Sequence, residues 1–296
     1  MRSLSIEQRE NIDGYIFILP ALAYFALFVV YPFFFSFYLS LHQKTGSKLT
    51  DISFAAFFQY KKALSDPEFW TSLSHTIIYT FSVVFFQLVL GLIMAVLLNR
   101  YILGKDFIRA LFFTPVVLST IVCGTVWVWM YSPEEGGLIN RALGILFRIK
   151  PIPWLREPQW ALFAVIIMSI WKWIGYHMVV YLAALQGISN DYYEAASIEG
   201  ASGLQKFWRI TFPLLSNTSW LLIITSIINS FQVFDQIFVM TKGGPVGATN
   251  VVVYMIYKSS FISFDLPYGS AIAWLLFGVI FILTLAQMQI QKKSVV

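Results

Sequence analysis

The sequence predicts an all-α integral membrane protein with six transmembrane helices, and three observations carry that prediction. Of the 296 residues, 58% are hydrophobic and only 12% charged, with a mean hydropathy of +0.72, whereas a soluble domain carries about 25% charged residues. Six separate apolar stretches, at about 14–41, 73–98, 108–131, 160–187, 214–240 and 268–290, each reach the roughly 20 residues that a helix needs to cross a bilayer. Trp127, Trp129, Tyr131, Trp154 and Trp160 gather beside span ends, as interfacial aromatic belts do. Six spans and their connections use the length, so a single transmembrane domain over 1–296 is expected, with no room for a separate soluble catalytic domain.

The first stretch is too long for a signal-peptide core and lacks a small-residue cleavage site before His42, so it is expected to remain as a span. Pro20 and Pro32 lie inside it. Each removes a backbone donor, so a kink or re-wound turn is expected, tolerated where neighbouring protein or water satisfies the freed carbonyls; this places the helix against protein. The second and third spans are joined by the basic turn 99–109. With a cytoplasmic N-terminus the inside segments hold Arg2, Arg9, Arg100, Lys105, Arg109, Lys206, Arg209, Lys292 and Lys293 against ten basic residues outside. The inside segments are shorter, so basic density favours that orientation.

Between the fourth and fifth spans lies the loop 188–213. Asp191 followed three residues later by Glu194 has the spacing of a capping box, and Ser202 with Gln205 repeats it. Two short helices are therefore expected, separated at Gly200, which suits the left-handed position that closes a helix, with Pro213 starting the fifth span. Ala195, Ala196 and Ile198 supply a small apolar face, and Leu204, Phe207 and Trp208 a larger one. The loop has the form of a surface helix-turn-helix built to be held by another molecule; taken alone, headgroup contact is the competing reading.

The net charge of +5 and pI near 9.2 reflect membrane-flanking lysines and arginines. Without a basic stripe interleaved with aromatics, nucleic acid is not an expected partner. Cys123 is the only cysteine, which excludes an intrachain disulfide and a thiolate metal cluster. Three scattered histidines give no convergent nucleophile, base or metal set, so the chain is not read as an enzyme. An ion-coupled secondary transporter is the alternative, but one lysine and one aspartate at depth make a thin relay and no internal repeat stands out.

Ionisable residues deep in a span cost about 2.5–3.5 kcal/mol on insertion scales and normally face a cavity or a partner. Lys172 and Asp235 are such residues, with His177 beside the first. Trp173, Tyr176 and His177 on the fourth span, and Asn229, Phe231, Gln232 and Asp235 on the fifth, combine aromatic faces for sugar C–H groups with amides that both donate to and accept from hydroxyls. Lys172 and Asp235 could instead pair with each other, Trp173 could anchor at the interface, and Asn229 with Gln232 could bond between helices. An acidic or phosphorylated sugar would find its cation in Lys172.

The run Tyr193–Pro213, YEAASIEGASGLQKFWRITFP, resembles the signature loop of ATP-binding-cassette importer permeases, in Glu194-Ala195-Ala196, Gly200, Ile210 and Pro213. Phe212 stands where the family usually has leucine and keeps an apolar side chain there. The segments FDQIFVMTKGGP (234–245), RALFFTPVVLS (109–119), FWTSLSHTIIYT (69–80) and ALQGISNDYYEAA (184–196) look like carbohydrate-importer permeases of the maltose and glycerol-3-phosphate class. The resemblance covers nearly the whole chain. It implies the type I importer permease fold, with Glu194, Ala195, Ala196, Gly200, Leu204, Phe207 and Trp208 in a cytoplasmic coupling helix that docks on an ATPase. It further implies a second, different permease, two ATP-binding subunits, an extracellular sugar-binding protein, and a bacterial or archaeal cytoplasmic membrane with both termini cytoplasmic. The chain itself is expected to bind no cofactor: it has no G-x-x-x-x-G-K-[S/T] run, and Gly104-Lys105-Asp106 lacks the first glycine and the Mg²⁺-binding hydroxyl. ATP and Mg²⁺ would sit on the partner subunits.

Overall fold

A computed structural model describes residues 6–46, 48, 51–99, 104–133 and 137–294; Arg2 and Arg100 of the orientation argument lie outside the described residues. In chain order the helices are α1 (Ile6–Phe25) and α2 (Tyr31–Ser40), joined by a π-helical turn, then α3 (Phe58–Ser65), α4 (Pro67–Leu98), α5 (Lys105–Val117), α6 (Thr120–Met130), α7 (Leu138–Phe147) and α8 (Pro158–Gln186). They continue with α9 (Asn190–Ile198), α10 (Gly203–Lys206), α11 (Phe212–Leu214), α12 (Ser216–Phe231), α13 (Asp235–Met240), α14 (Val252–Tyr257) and α15 (Leu266–Ser294). A two-stranded antiparallel hairpin, β1 (His42–Lys44) and β2 (Ile52–Phe54), pairs His42 with Phe54. Among the described residues four helices are long and apolar enough to cross a membrane, and six spans result when each of two bent pairs counts as one.

By packing, the chain divides into two units, one made of the described residues up to Asp66 together with Ile256–Leu275, the other of Pro67–Met255 with the residues from Leu276 onward. In the first unit the first span runs unbroken over Gly14–Ser40. Its strain is absorbed by the π-helical turn Ala26–Val30 just before Pro32, because a wider turn frees the carbonyl with which the proline ring would collide. The expected packing of this span against protein is seen in its α2 part alone, and none of its most apolar stretch is buried. Trp274 packs on Phe33 and Phe37 at 4.8 Å and donates to Ser36 Oγ at 3.1 Å. Lys62 pairs with Asp265 at 3.2 Å.

In the second unit α4 and α8 form the central pair. Glycines at the crossing points allow the close approach that membrane helices use in place of a hydrophobic drive. A Cβ on Gly91 of α4 would lie 2.6 Å from His177 Cβ, and one on Gly175 of α8 would lie 2.0 Å from the Phe112 carbonyl oxygen of α5.

The third span, expected as one helix over 108–131, is two helices bent by 103°. Pro115 leaves a donor missing in the last turn of α5, and Leu118 and Ser119 turn extended before α6 begins. The fifth span also departs from expectation. The chain is helical from Gly203 to Leu214, with Pro213 in the first turn of the short α11, and bends by 61° at Leu215, so the long helix of the span starts only at Ser216. It then breaks again at Gln232–Phe234 before α13. The expected aromatic belt is instead a packed cluster: Trp127, Tyr131 and Trp154 are buried and pack in sequence as tilted rings with centroids 5.2 and 5.3 Å apart, with Trp160 edge-on 5.7 Å from Trp154. Asn140 locks that cluster by accepting from Trp154 Nε1 at 3.0 Å and donating to Ile152 O at 2.9 Å. Of the five aromatics, Trp129 stays well exposed.

Candidate functional site

A cavity of about 510 Å³ opens within the second unit, lined from α4, the start of α6, α8, α12 and the break before α13. Its inner part is a hydrogen-bonded lattice of buried side chains. Tyr79 donates to Ser169 Oγ at 2.9 Å, Gln87 Nε2 to Ser169 O at 3.0 Å, and Gln236 Nε2 reaches Tyr79 Oη at 3.4 Å. His177 uses both ring nitrogens, Nδ1 on Trp173 O at 3.0 Å and Nε2 on Ser226 Oγ at 2.8 Å. Buried polar groups in an apolar surrounding are tolerated when paired in this way, and the pairing fixes the wall's shape.

The outer part is different in kind. Trp173 and Tyr176 present partly exposed rings, packed edge to face at 6.3 Å, and Asn229, Gln232 and Asp235 are exposed polar residues of the lining. Asn229 occupies the last turn of α12, Gln232 caps it, and Asp235 opens α13, so the helix break itself turns all three toward one cavity. Irregular backbone of this sort at membrane depth is found where it lines a cavity.

Of the eight residues expected on a substrate pathway, Trp173, Tyr176, His177, Asn229, Gln232 and Asp235 line the cavity, while Lys172 and Phe231 do not. Phe231 is buried on the other side of α12, where it lines an apolar hollow with Ile77, Phe81 and Val279. Lys172, 1% exposed, points at the break between α5 and α6, donating from Nζ to Pro115 O at 3.0 Å and Leu118 O at 2.7 Å. These are carbonyls that the end of a helix leaves without intrahelical donors. The ammonium also lies 5.2 Å from the Trp173 ring centroid. Among the described residues Lys172 and Asp235 form no ion pair. Sequence reasoning missed Tyr79, Gln87, Thr120, Thr225, Ser226, Ser230 and Gln236, which complete the polar wall, and Val83, an apolar residue of the same lining.

At the far end of α8 and α12 stands the loop 188–213. Its base is rigid: Leu185, Leu215, Leu182, Leu222, Tyr181 and Ala95 form a buried cluster, and Tyr193 Oη lies 3.0 Å from Thr211 Oγ1. The first helix is capped by Ser189, whose hydroxyl accepts from Asp191 N at 3.2 Å; the expected Asp191 and Glu194 box is not formed. Its C-terminus closes in a Schellman motif, with Gly200 N on Ser197 O, Ala201 N on Ala196 O and Gly200 at φ +79°, the left-handed geometry that glycine adopts without strain. Ser202 and Gln205 make a complete capping box at 2.7 and 3.4 Å. Glu194 and Ala195 are exposed and Ala196 partly so, and the apolar tips Ile198, Leu204 and Trp208 are 89%, 70% and 56% exposed.

A membrane-spanning helical protein with a polar, aromatic-rimmed cavity at a helix break, and an apolar, firmly capped loop on the same two helices, has the build of a transport permease. The chain belongs to the family described as binding-protein-dependent transport system inner membrane component, which matches residues 87–295. It is 34% identical over 97% of its length to the trehalose/maltose transport system permease protein MalF of Thermococcus litoralis, covering 96% of that protein. It is 30% identical to the sn-glycerol-3-phosphate transport system permease protein UgpA of Agrobacterium fabrum, with 97% of each chain covered. Its fold matches, with a TM-score of 0.83 at 20% identity and 96% coverage of both chains, that of a bacterial ABC transporter involved in import of the acidic polysaccharide alginate. The chain is thus a membrane-embedded permease subunit of an ATP-binding-cassette importer.

Proposed function

We propose that this permease moves a sugar or oligosaccharide through the cavity at the α12–α13 break, and that the loop 188–213 is the coupling helix through which a separate ATPase drives it. The observation that carries the reading is the loop's construction. Three caps or terminators hold its helices, yet its largest apolar side chains point outward, an arrangement that fits a docking groove better than free solvent. Glu194, Ala195, Ala196, Gly200, Leu204, Phe207 and Trp208 form the gripped surface in this reading. The sugar assignment draws on relatives described as trehalose/maltose and lactose permeases and on the pairing of Trp173 and Tyr176 rings with the Asn229 and Gln232 amides.

The mechanism follows from shared helices. Trp173 and Gln186 are thirteen residues apart on α8, about 20 Å of rigid helix, so a displacement of the loop is delivered to the cavity wall. Closure of two ATP-bound subunits would draw this loop and its counterpart on a second, different permease together. The cavity would then face an extracellular sugar-binding protein, and hydrolysis would return it inward. ATP and Mg²⁺ belong to the ATPase subunits in this scheme, and the bare first span offers a lipid- or permease-facing surface. The membrane is the cytoplasmic one of a bacterium or archaeon, with both termini and the loop inside.

Because Cys123 is buried, cysteines introduced as Ile198→Cys or Leu204→Cys would be the reactive thiols. They should crosslink to an ATPase subunit in membranes, with a yield that changes on adding ATP. Crosslinks to lipid-reactive reagents alone, with no ATPase captured, would refute the docking role.

A further inference from the structure

The cavity wall carries a charge pattern that discriminates among sugars. Lys172 is the one lysine or arginine at the depth of the spans in this sequence, and its ammonium is committed to Pro115 O and Leu118 O and is absent from the lining. Both nitrogens of His177 are engaged by Trp173 O and Ser226 Oγ. A phosphate or carboxylate entering the cavity would therefore meet no free cation among the described lining residues. It would meet Asp235, exposed at the start of α13, flanked by the uncharged amides of Asn229 and Gln232.

From this we infer that the cavity takes uncharged sugars and rejects acidic or phosphorylated ones, with Asp235 as the specificity-determining residue. The inference rests on the reading of this cavity as the sugar pathway and narrows its substrate class. A carboxylate accepts from sugar hydroxyls in short, charge-assisted bonds. The amides complete the set because a hydroxyl needs both a donor and an acceptor. An anionic sugar brings a like charge into a partly apolar site, where repulsion is screened less than in water. Trp173 and Tyr176 offer ring faces to either class and do not discriminate.

The test is direct binding to the assembled, detergent-solubilised importer without its binding protein, which removes that protein's own selectivity. Calorimetry would compare maltose, trehalose and lactose with their uronate and phosphate derivatives on wild type, Asp235→Asn and Asp235→Lys, with size-exclusion elution reporting assembly of each variant. The expected result is at least tenfold tighter binding of a neutral sugar than of its anionic derivative. Asp235→Asn should reduce that preference and Asp235→Lys should abolish or reverse it. Equal or tighter binding of the anionic derivative by wild type, or a preference unmoved in both variants, would overturn the inference alone. Binding of neither class would overturn the pathway reading beneath it.

Discussion

Replacing Lys172 with methionine should destabilise the permease by breaking the staple across the α5–α6 bend, without acting through Asp235. Methionine matches the length of the stem but offers no donor, so Pro115 O and Leu118 O lose bonds of 3.0 and 2.7 Å. Hydrogen bonds from a charged donor contribute about 1.5–3 kcal/mol each, a gross loss of about 3–6 kcal/mol. Removing the ammonium from membrane depth offsets about 2.5–3.5 kcal/mol of this. Taking the low ends together and the high ends together, the net expectation is a loss of about 0.5–2.5 kcal/mol, read as a lowered thermal midpoint of the purified complex and reduced uptake. Asp235→Asn should add to Lys172→Met with a coupling below about 0.5 kcal/mol, because the two share no partner. A double variant more stable or more active than either single one would show that they form a pair and refute this account of the buried lysine, as would Lys172→Met of wild-type stability.

Gly200→Val should abolish uptake while membrane insertion stays normal, since the site is open yet φ is +79°, a left-handed geometry costing an L-residue about 1–2 kcal/mol and a β-branched one more; quantifying the protein in membranes alongside uptake separates the two. Ser189→Ala should lower stability by about 0.5–2 kcal/mol through loss of the cap. Glu194→Ala, at an exposed residue outside the cap, should leave stability within about 0.5 kcal/mol and instead reduce ATPase recovered by affinity pull-down. Gly175→Ala should cost about 1–3 kcal/mol in thermal stability through overpacking, because its Cβ would sit 2.0 Å from Phe112 O.

The loop was legible in the sequence because caps and terminators are local: Gly200, Ser202 and Gln205 act on neighbours within four residues. Ser189 was missed because the Asp191 and Glu194 spacing imitates a box, while the helix begins one residue after the serine. The bends were hidden for a different reason. Hydropathy averages over a window, so the apolar run 108–131 reads as one span even though Pro115 and the Ser119–Thr120 start were there to be read. The cavity was half legible. Depth in a span flagged Lys172 and Phe231 as readily as Asp235, but direction depends on helix rotation, which no charge count reports. Tyr79 and Gln87 escaped because uncharged polar residues cost little within an apolar run, and Val83 because it reads as part of that run, although their four-residue spacing puts all three on one face.

The most direct test of the central claim is uptake of neutral sugar by proteoliposomes holding the whole complex, with binding protein outside, comparing internal ATP, a non-hydrolysable analogue and an imposed proton gradient. The account predicts uptake with hydrolysable ATP only, lost together with ATPase attachment in Leu204→Asp. Uptake driven by the proton gradient without ATP, or unchanged in Leu204→Asp, would contradict it.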